Sequence, residues 1–426
     1  MVNSTSDILG KIPSMKTGDE LQKALTVLPD YDDSIRFECA ATRLQQLSKL
    51  YKIYVATDMT VEIYTKLYIA MIDSLKKKVG RLATIQRNQN HQGNLQQGGS
   101  IKGTSVYDPM YEGINGNVFS IIGNSGIGKS SAISRALDIM TDGQLIEIEY
   151  PYTTIVPCLV CQAPFDNSPK NLLWSILQRI DLHLKSDYFM RAQKLRMSTE
   201  TLQGYVSNLL MNHVGILIID ESQNLCNNNS GNRLISLLIS LLNNASISIC
   251  LVGVRDSEMF FRQNFALARR MLGLSYGCLQ YDLSFKQFCK TVFDYQYVKN
   301  RTEITEAITE WLYEHTNGVP ALIVYLMHEA QTIAILDGTE ILDLRALNEA
   351  YKKNMGLLYD YVRPSAPTKS KATKSKKHKE VNLSVENTFK QEDVPTITDI
   401  ANRAKKENLD VIQLLRQFWT VTEVEV

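Results

Sequence analysis

The stretch Gly123-Asn124-Ser125-Gly126-Ile127-Gly128-Lys129-Ser130-Ser131 carries the clearest chemistry in the chain. It satisfies G-x-x-x-x-G-K-[ST] at every fixed position. Glycines in such a loop let backbone N–H groups turn inward around a phosphate chain. A helix starting directly after it aims its positive dipole end at the same anion. In that arrangement Lys129 reaches the outer phosphates of a nucleoside triphosphate, and the Ser130 hydroxyl ligates Mg²⁺. The plain alternative is a glycine turn between a strand and a helix, and the Lys129-Ser130 pair in that context argues against it. The pattern therefore predicts binding of a nucleoside triphosphate with Mg²⁺.

A phosphate loop does not say whether the triphosphate is cut. Gly215-Ile216-Leu217-Ile218-Ile219-Asp220-Glu221 sharpens the reading, because a wholly apolar run ends there in two carboxylates. At the tip of a buried strand Asp220 is placed to hold the metal shell, and Glu221 to orient and polarise the attacking water. A charged strand end facing solvent is the alternative reading. Hydrolysis also needs positive charge near the terminal phosphate. Arg269-Arg270, after the apolar run 247–254, sits where a neighbouring subunit could donate such a group.

These residues need strands and helices to position them, and the apolar patterning supplies both. Val118–Ile122, Ile155–Ala163, Gly215–Asp220 and Ile247–Val254 read as strands without polar alternation, so each is buried on two faces. Helical periodicity falls between them, at Lys170–Leu184, Thr199–Met211 and Leu234–Leu242. Alternation of this kind implies an α/β core with a parallel sheet, over 111–282. Residues 283–363 switch to helices alone and read as a small helical lid. Upstream, residues 1–34 are weakly patterned, a loosely held arm, and 35–85 is a helical segment. In it Phe37, Ala40, Ala41, Leu44, Leu47 and Leu50 mark one face. Ile63, Leu67, Met71 and Leu75 mark the face of a second helix, starting near Thr60. The Gln-, Asn- and Gly-rich stretch within 86–110 reads as a flexible linker. Residues 364–380 hold six lysines against one glutamate, so 364–393 is a basic linker. An amphipathic helix within 394–426 then serves to dock a partner.

Bulk composition narrows the class. The chain has 426 residues, 44% hydrophobic and 21% charged, with a net charge of +1. Any nucleic-acid surface must therefore be local, with Lys76–Lys78 and the lysines of 369–379 as candidates. Seven cysteines form no closely spaced framework, which fits a reducing cytoplasm. Cys158-Leu159-Val160-Cys161 resembles half a zinc ribbon, but it lacks a second pair and reads as two buried thiols in a strand. Nothing in the sequence reaches the ~18 apolar residues of a membrane span, and no membrane partner is expected.

Phosphate loop, Asp-Glu strand, following strand, paired arginines and helical lid together resemble the AAA+ ATPases. Ser120 to Ser130 and Asp220-Glu221-Ser222-Gln223-Asn224-Leu225 are similar to the corresponding motifs of the TnsC/TniB-type transposition regulators. So are Tyr150-Pro151, the segment Ala163 to Lys170, and Ile180-Asp181 ahead of Tyr188. The resemblance runs from about Arg36 to Pro364. It implies an AAA+ P-loop ATPase that assembles as a hexameric or heptameric ring, or as a filament, on duplex DNA. It would couple a target-selection protein, DNA-binding or RNA-guided, to transposase subunits, with hydrolysis driving disassembly. By position, Lys129, Ser130, Asp220 and Glu221 would serve nucleotide and metal, and Arg269 or Arg270 would cross a subunit interface. Two positions depart from the pattern. Val254 stands where a polar γ-phosphate sensor is usual, and Ala321 stands where several relatives of the wider class carry a sensing arginine. Both imply slow turnover. A different remodelling ATPase, such as a helicase loader or a secretion-linked ATPase, shares the core motifs.

Overall fold

The apolar runs become the middle of a sheet. In the computed structural model the described residues are 8–96, 118–149, 152–166, 168–225, 231–245, 247–255, 257 and 273–356. All belong to the first of two compact units, Met1–Ser365. The second, Ala366–Val426, lies outside the described residues. So do the expected basic linker and the docking helix.

Among the described residues there is a six-stranded sheet. Its strands are β1 (Val118–Gly123), β2 (Ile146–Glu149), β3 (Tyr152–Gln162), β4 (Val214–Asp220), β5 (Ser248–Gly253) and β6 (Leu274–Tyr276). They lie in the order β2-β3-β4-β5-β1-β6. Every neighbouring pair is parallel except β2 with β3. The expected parallel sheet is thus corrected at one edge. Two residues separate β2 from β3, too few for the crossover that parallel pairing requires.

Alternation along each strand divides the core. Ile216 and Ile218 of β4, with Cys250 and Val252 of β5, face α3 (Asp58–Gln96) and α4 (Lys129–Thr141). Leu217, Ile219, Ile249 and Leu251 face the opposite layer. That layer is α5 (Pro169–Leu184), α7 (Thr199–His213) and α8 (Gly231–Ala245), with the short α6 (Tyr188–Lys194) at its edge. The result is helix, sheet, helix, with continuous apolar strands because both faces are covered. Local signals set the helix starts: Ser168 caps Asn171 N–H ahead of Pro169, and Ser198 caps Thr201 N–H. Asp181 explains its own place in the sequence motif. Its carboxylate accepts from Tyr188 N–H and Phe189 N–H at 2.9 and 2.8 Å, and so caps α6 from the preceding helix.

Cys158 and Cys161 fall to opposite faces of β3, since a separation of three reverses direction in a strand. They cannot share a metal, and burial pushes the Cys161 thiol up to about 12.

The N-terminal region differs from its expected form. Residues 8–34 are packed: Ile8, and Leu21 and Leu25 of α1 (Gly18–Leu25), are buried beside α3. The weak patterning of this stretch concealed a few well-spaced anchors. The segment 35–85 also divides in two. Its first part forms the 3₁₀ turn Asp33–Phe37, then α2 (Ala40–Gln46) and the turn Leu47–Lys52. Leu47, Leu50 and Ile53 complete the core of a lid built from α9 (Leu283–Phe293), α10 (Glu306–Thr316), α11 (Pro320–Leu336) and α12 (Leu344–Asn354). Phe37, assigned to the buried face, is 72% exposed, because the chain there is 3₁₀ rather than continuous α-helix. The second part, α3, lays Ile63, Leu67, Met71 and Leu75 on the sheet layer. It runs to Gln96, into the stretch assigned to a flexible linker. Arg, Gln and Leu propagate a helix well, so a composition too polar for a core still continues one already started.

Lys78 also changes role. It is 4% exposed, and its ammonium donates to Leu210 O at 2.9 Å and to Met211 O, carbonyls of the last turns of α7. A cation at a helix C-terminus satisfies acceptors that the helix itself cannot. Lys78 therefore joins two helices and is not free for DNA. Lys78→Met should lower unfolding stability by about 1.5–3 kcal/mol, the range for a hydrogen bond to a charged group. Urea titration would measure that loss. The salt dependence of DNA binding should stay as in wild type.

Candidate nucleotide-binding and hydrolysis site

Strand order places the site. β5 lies between β4 and β1, so the loop leaving β1 and the carboxylates leaving β4 converge over the tip of β5. Ligands in such sheets gather at the carboxyl ends of the strands. The loop turns at Gly126, whose φ of +80° lies in the left-handed region. A Cβ there would meet Val319 Cγ1 at 2.9 Å, so the lid side also requires glycine. α4 begins at Lys129 immediately afterwards and directs its dipole back at the loop.

Lys129 Nζ donates to Gly123 O and Asn124 O, both at 2.9 Å. An ammonium has three donors, so one is left for a phosphate oxygen. Burial pushes the Lys129 pKa down, and the carboxylates of Asp220 and Glu221 act in the other direction. Ser130 Oγ donates to Asp220 Oδ2 at 3.0 Å, joining the loop to β4 across the sequence. A hydroxyl and a carboxylate at this spacing form the hard oxygen set that suits Mg²⁺ completed by phosphate oxygens. Glu221 takes a φ of +58°. A non-glycine residue holds that conformation at a cost when its surroundings fix it. Here Glu221 N–H donates to Asp220 Oδ1 at 2.8 Å, and Glu221 O accepts from Asn224 N–H at 2.9 Å.

Two cavities adjoin. One of about 310 Å³ is lined by the phosphate loop, Asp220, Glu221, Gln223, Gly253, Val254 and Ala321. The other, about 650 Å³, shares Gly126, Gly128, Ser131 and Ala321 with it. It is walled by Tyr51, Tyr54 and Met59 on one side and by Phe288, Pro320 and Tyr325 of the lid on the other. Polar loop and apolar slot suit phosphates and base respectively. The slot residues were absent from the sequence-based assignment. Tyr51 and Tyr54 lie some seventy residues before the loop, and nothing local in the sequence ties them to it. The lid also touches the loop directly, with Ala321 N–H donating to Gly126 O at 3.3 Å.

The structure thus brings together Gly123, Gly126, Gly128, Lys129, Ser130, Asp220 and Glu221. Ser131 lines both cavities and Ser125 the smaller. Ile127 is buried and walls the larger. Asn124 turns away to Cys278, with Nδ2 to Sγ at 3.2 Å. Arg269 and Arg270 lie outside the described residues. Among the described residues lining the smaller cavity, Lys129 is the sole cation.

Residues 115–259 match the family model described as an AAA domain. The match spans both the phosphate loop and Asp220-Glu221, and domains of this family are nucleotide-hydrolysing ATPases. The fold is that of an AAA+ domain, and residues 115–259 are similar to AAA-family ATPase domains, a family that implies nucleotide binding, typically with Mg²⁺. Among solved structures, Drosophila ORC bound to DNA aligns over 97% of this chain and 84% of its own, at 13% identity and a TM-score of 0.42. The Aeropyrum pernix ORC1 protein in complex with DNA aligns over 57% and 61%, at 14% identity and 0.39. Domain III of the Thermotoga maritima replication initiation protein DnaA aligns over 60% and 89%, at 15% identity and 0.34. No curated protein matches the chain. Among the described residues no single helix is long and apolar enough to cross a membrane.

Proposed function

We propose that this chain is an ATP-dependent regulator of DNA transposition. It oligomerises on duplex DNA and bridges a target-selection protein to the transposase, and hydrolysis of ATP releases it. The observation that carries the ATPase part is the Ser130–Asp220 contact at 3.0 Å, which joins the phosphate loop and the Asp-Glu strand in one shell. The regulator part is supported by the motif resemblance in the sequence. Binding to duplex DNA through phosphates suits a protein that must accept many sequences. The 369–379 lysines and the exposed Lys76 are the cations offered for it.

The residues divide the work. The apolar slot takes the base, and the loop N–H groups with Lys129 hold the phosphates. Ser130 and Asp220 would hold Mg²⁺, which neutralises charge on the outer phosphates. Glu221 accepts a proton from water as its oxygen attacks the terminal phosphorus and the bond to ADP breaks. Arg269 or Arg270 of a neighbouring copy supplies the second positive charge.

Electron microscopy of the full chain with duplex DNA tests this reading. Rings or filaments should form with ATP or a non-hydrolysable analogue, decay with ATP but persist with the analogue, and fail to form with ADP or in Lys129→Ala. A monomer that ignores both nucleotide and DNA would overturn the reading and return the chain to the loader or secretion-linked classes.

A further inference from the structure

The tip of β5 contributes no polar side chain to the phosphate cavity; it offers Gly253 and Val254. The polar group beside it comes from the next turn of the chain. Gln223, in the 3₁₀ turn Ser222–Leu225, donates its side-chain N–H to Glu221 Oε2 and accepts from Val254 N–H at 3.4 Å. A primary amide has two N–H bonds. Glu221 takes one, and the other remains for an acceptor in the cavity that Gln223 lines.

This position is built with close tolerances. A Cβ on Gly253 would lie 2.2 Å from Ser222 Oγ, 2.6 Å from Ser257 Oγ and 3.2 Å from Gln223 Oε1. Glycine is therefore needed for the turn to sit against β5. Ser222 and Ser257 are fully buried, with their hydroxyl oxygens 3.5 Å apart. On the other side Asn224 Nδ2 donates to Ala163 O at 3.2 Å, just past β3. The turn bearing Gln223 is thus pinned to the tips of both strands flanking β4, while its amide projects between Glu221 and the end of β5.

We propose that Gln223 is the positioning residue that couples the terminal phosphate of ATP to the orientation of Glu221. Its free N–H bonds a γ-phosphate oxygen, and the same amide holds the Glu221 carboxylate where the attacking water must lie. With ADP that oxygen is missing and Glu221 is tied to the turn alone. Val254 then costs the site no sensor, because the polar contact comes from the neighbouring turn. The inference rests on the reading of this crevice as an ATPase site.

The test uses the full chain with Gln223→Ala, the near-isosteric Gln223→Glu, and the double variant Gln223→Ala/Val254→Asn. Loss of one preorganised donor to the reacting phosphate should lower kcat about 100-fold, with KM for ATP rising only by about the tenfold that the same bond contributes to binding. The preference for ATPγS over ADP should shrink about tenfold, the low end for a hydrogen bond to a charged group. Gln223→Glu, adding a carboxylate beside Glu221, should lose at least as much. Val254→Asn should restore about tenfold of kcat in the double variant, because it returns an amide to the same cavity from β5; a purely structural role would not be rescued. Wild-type turnover and preference in both single variants would overturn the inference alone. A wild-type chain that neither hydrolyses ATP nor prefers ATPγS overturns the ATPase reading, and the inference with it.

Discussion

Glu221→Gln should lower ATP hydrolysis by about 10²–10⁴-fold, the usual contribution of a positioned general base, while leaving ATP affinity close to wild type. On the proposed reading affinity resides elsewhere: Lys129 sits over the loop carbonyls, and the Ser130–Asp220 pair would hold the metal. The substitution keeps volume and polarity, so Glu221 N–H can still donate to Asp220 and Glu221 O can still accept from Asn224 N–H. What it removes is the proton acceptor. Single-turnover hydrolysis and fluorescent-nucleotide binding, measured separately, give the split. Assemblies on DNA formed by Glu221→Gln with ATP should persist as wild type does with the analogue. Asp220→Asn should behave differently and weaken both binding and turnover, because Asp220 belongs to the metal shell. Wild-type hydrolysis in Glu221→Gln would sink the assignment of the base and move it to another carboxylate.

That prediction draws on residues legible from sequence alone, and the reason is local. The spacing of Gly123, Gly128, Lys129 and Ser130 encodes a loop conformation, and Ile216–Ile219 encodes a doubly covered strand, without reference to distant residues. The lid and sheet helices were legible in the same way, with boundaries shifted by a few residues. Illegible were relations between distant parts of the chain. Tyr51 and Tyr54 wall the apolar slot only because the N-terminal segment folds back onto the lid. Lys78 looked like one of three surface lysines until α3 laid it against the end of α7. Gln223 sat inside a motif, but its contact with Val254 depends on β5 lying beside β4. Periodicity reports which face of an element is buried, not what buries it.

Arg43→Met should destabilise the fold by about 3–5 kcal/mol, the cost of leaving a buried charge without its partner. Arg43 is 1% exposed, and its guanidinium grips Glu340 bidentately, Nη1 to Oε2 and Nη2 to Oε1, both at 2.6 Å. Nη1 also donates to Tyr297 O at 2.9 Å and Nε to Glu38 O at 3.1 Å. One side chain of α2 thus ties the N-terminal segment to two connections of the lid, the one after α9 and the one between α11 and α12. Most of the expected loss comes from Glu340 rather than from the missing contact. In Arg43→Met/Glu340→Gln the uncharged amide still offers Lys299 N–H an acceptor, as Glu340 Oε2 does at 3.2 Å, so a good part of the stability should return. The pH dependence has a definite sign. Arg43, by its hydrogen bonds first, with Lys299 assisting, holds the Glu340 carboxyl below the usual glutamate range. Its contribution is therefore present above the unfolded pKa and lost as pH falls through the lower folded one. In Arg43→Met the carboxylate loses that partner and takes up a proton at higher pH. The stability gap between wild type and variant should narrow as pH falls through the glutamate range, in thermal unfolding followed at several pH values. A gap that is constant with pH would assign the loss to packing of the Arg43 stem instead of the unpaired carboxylate.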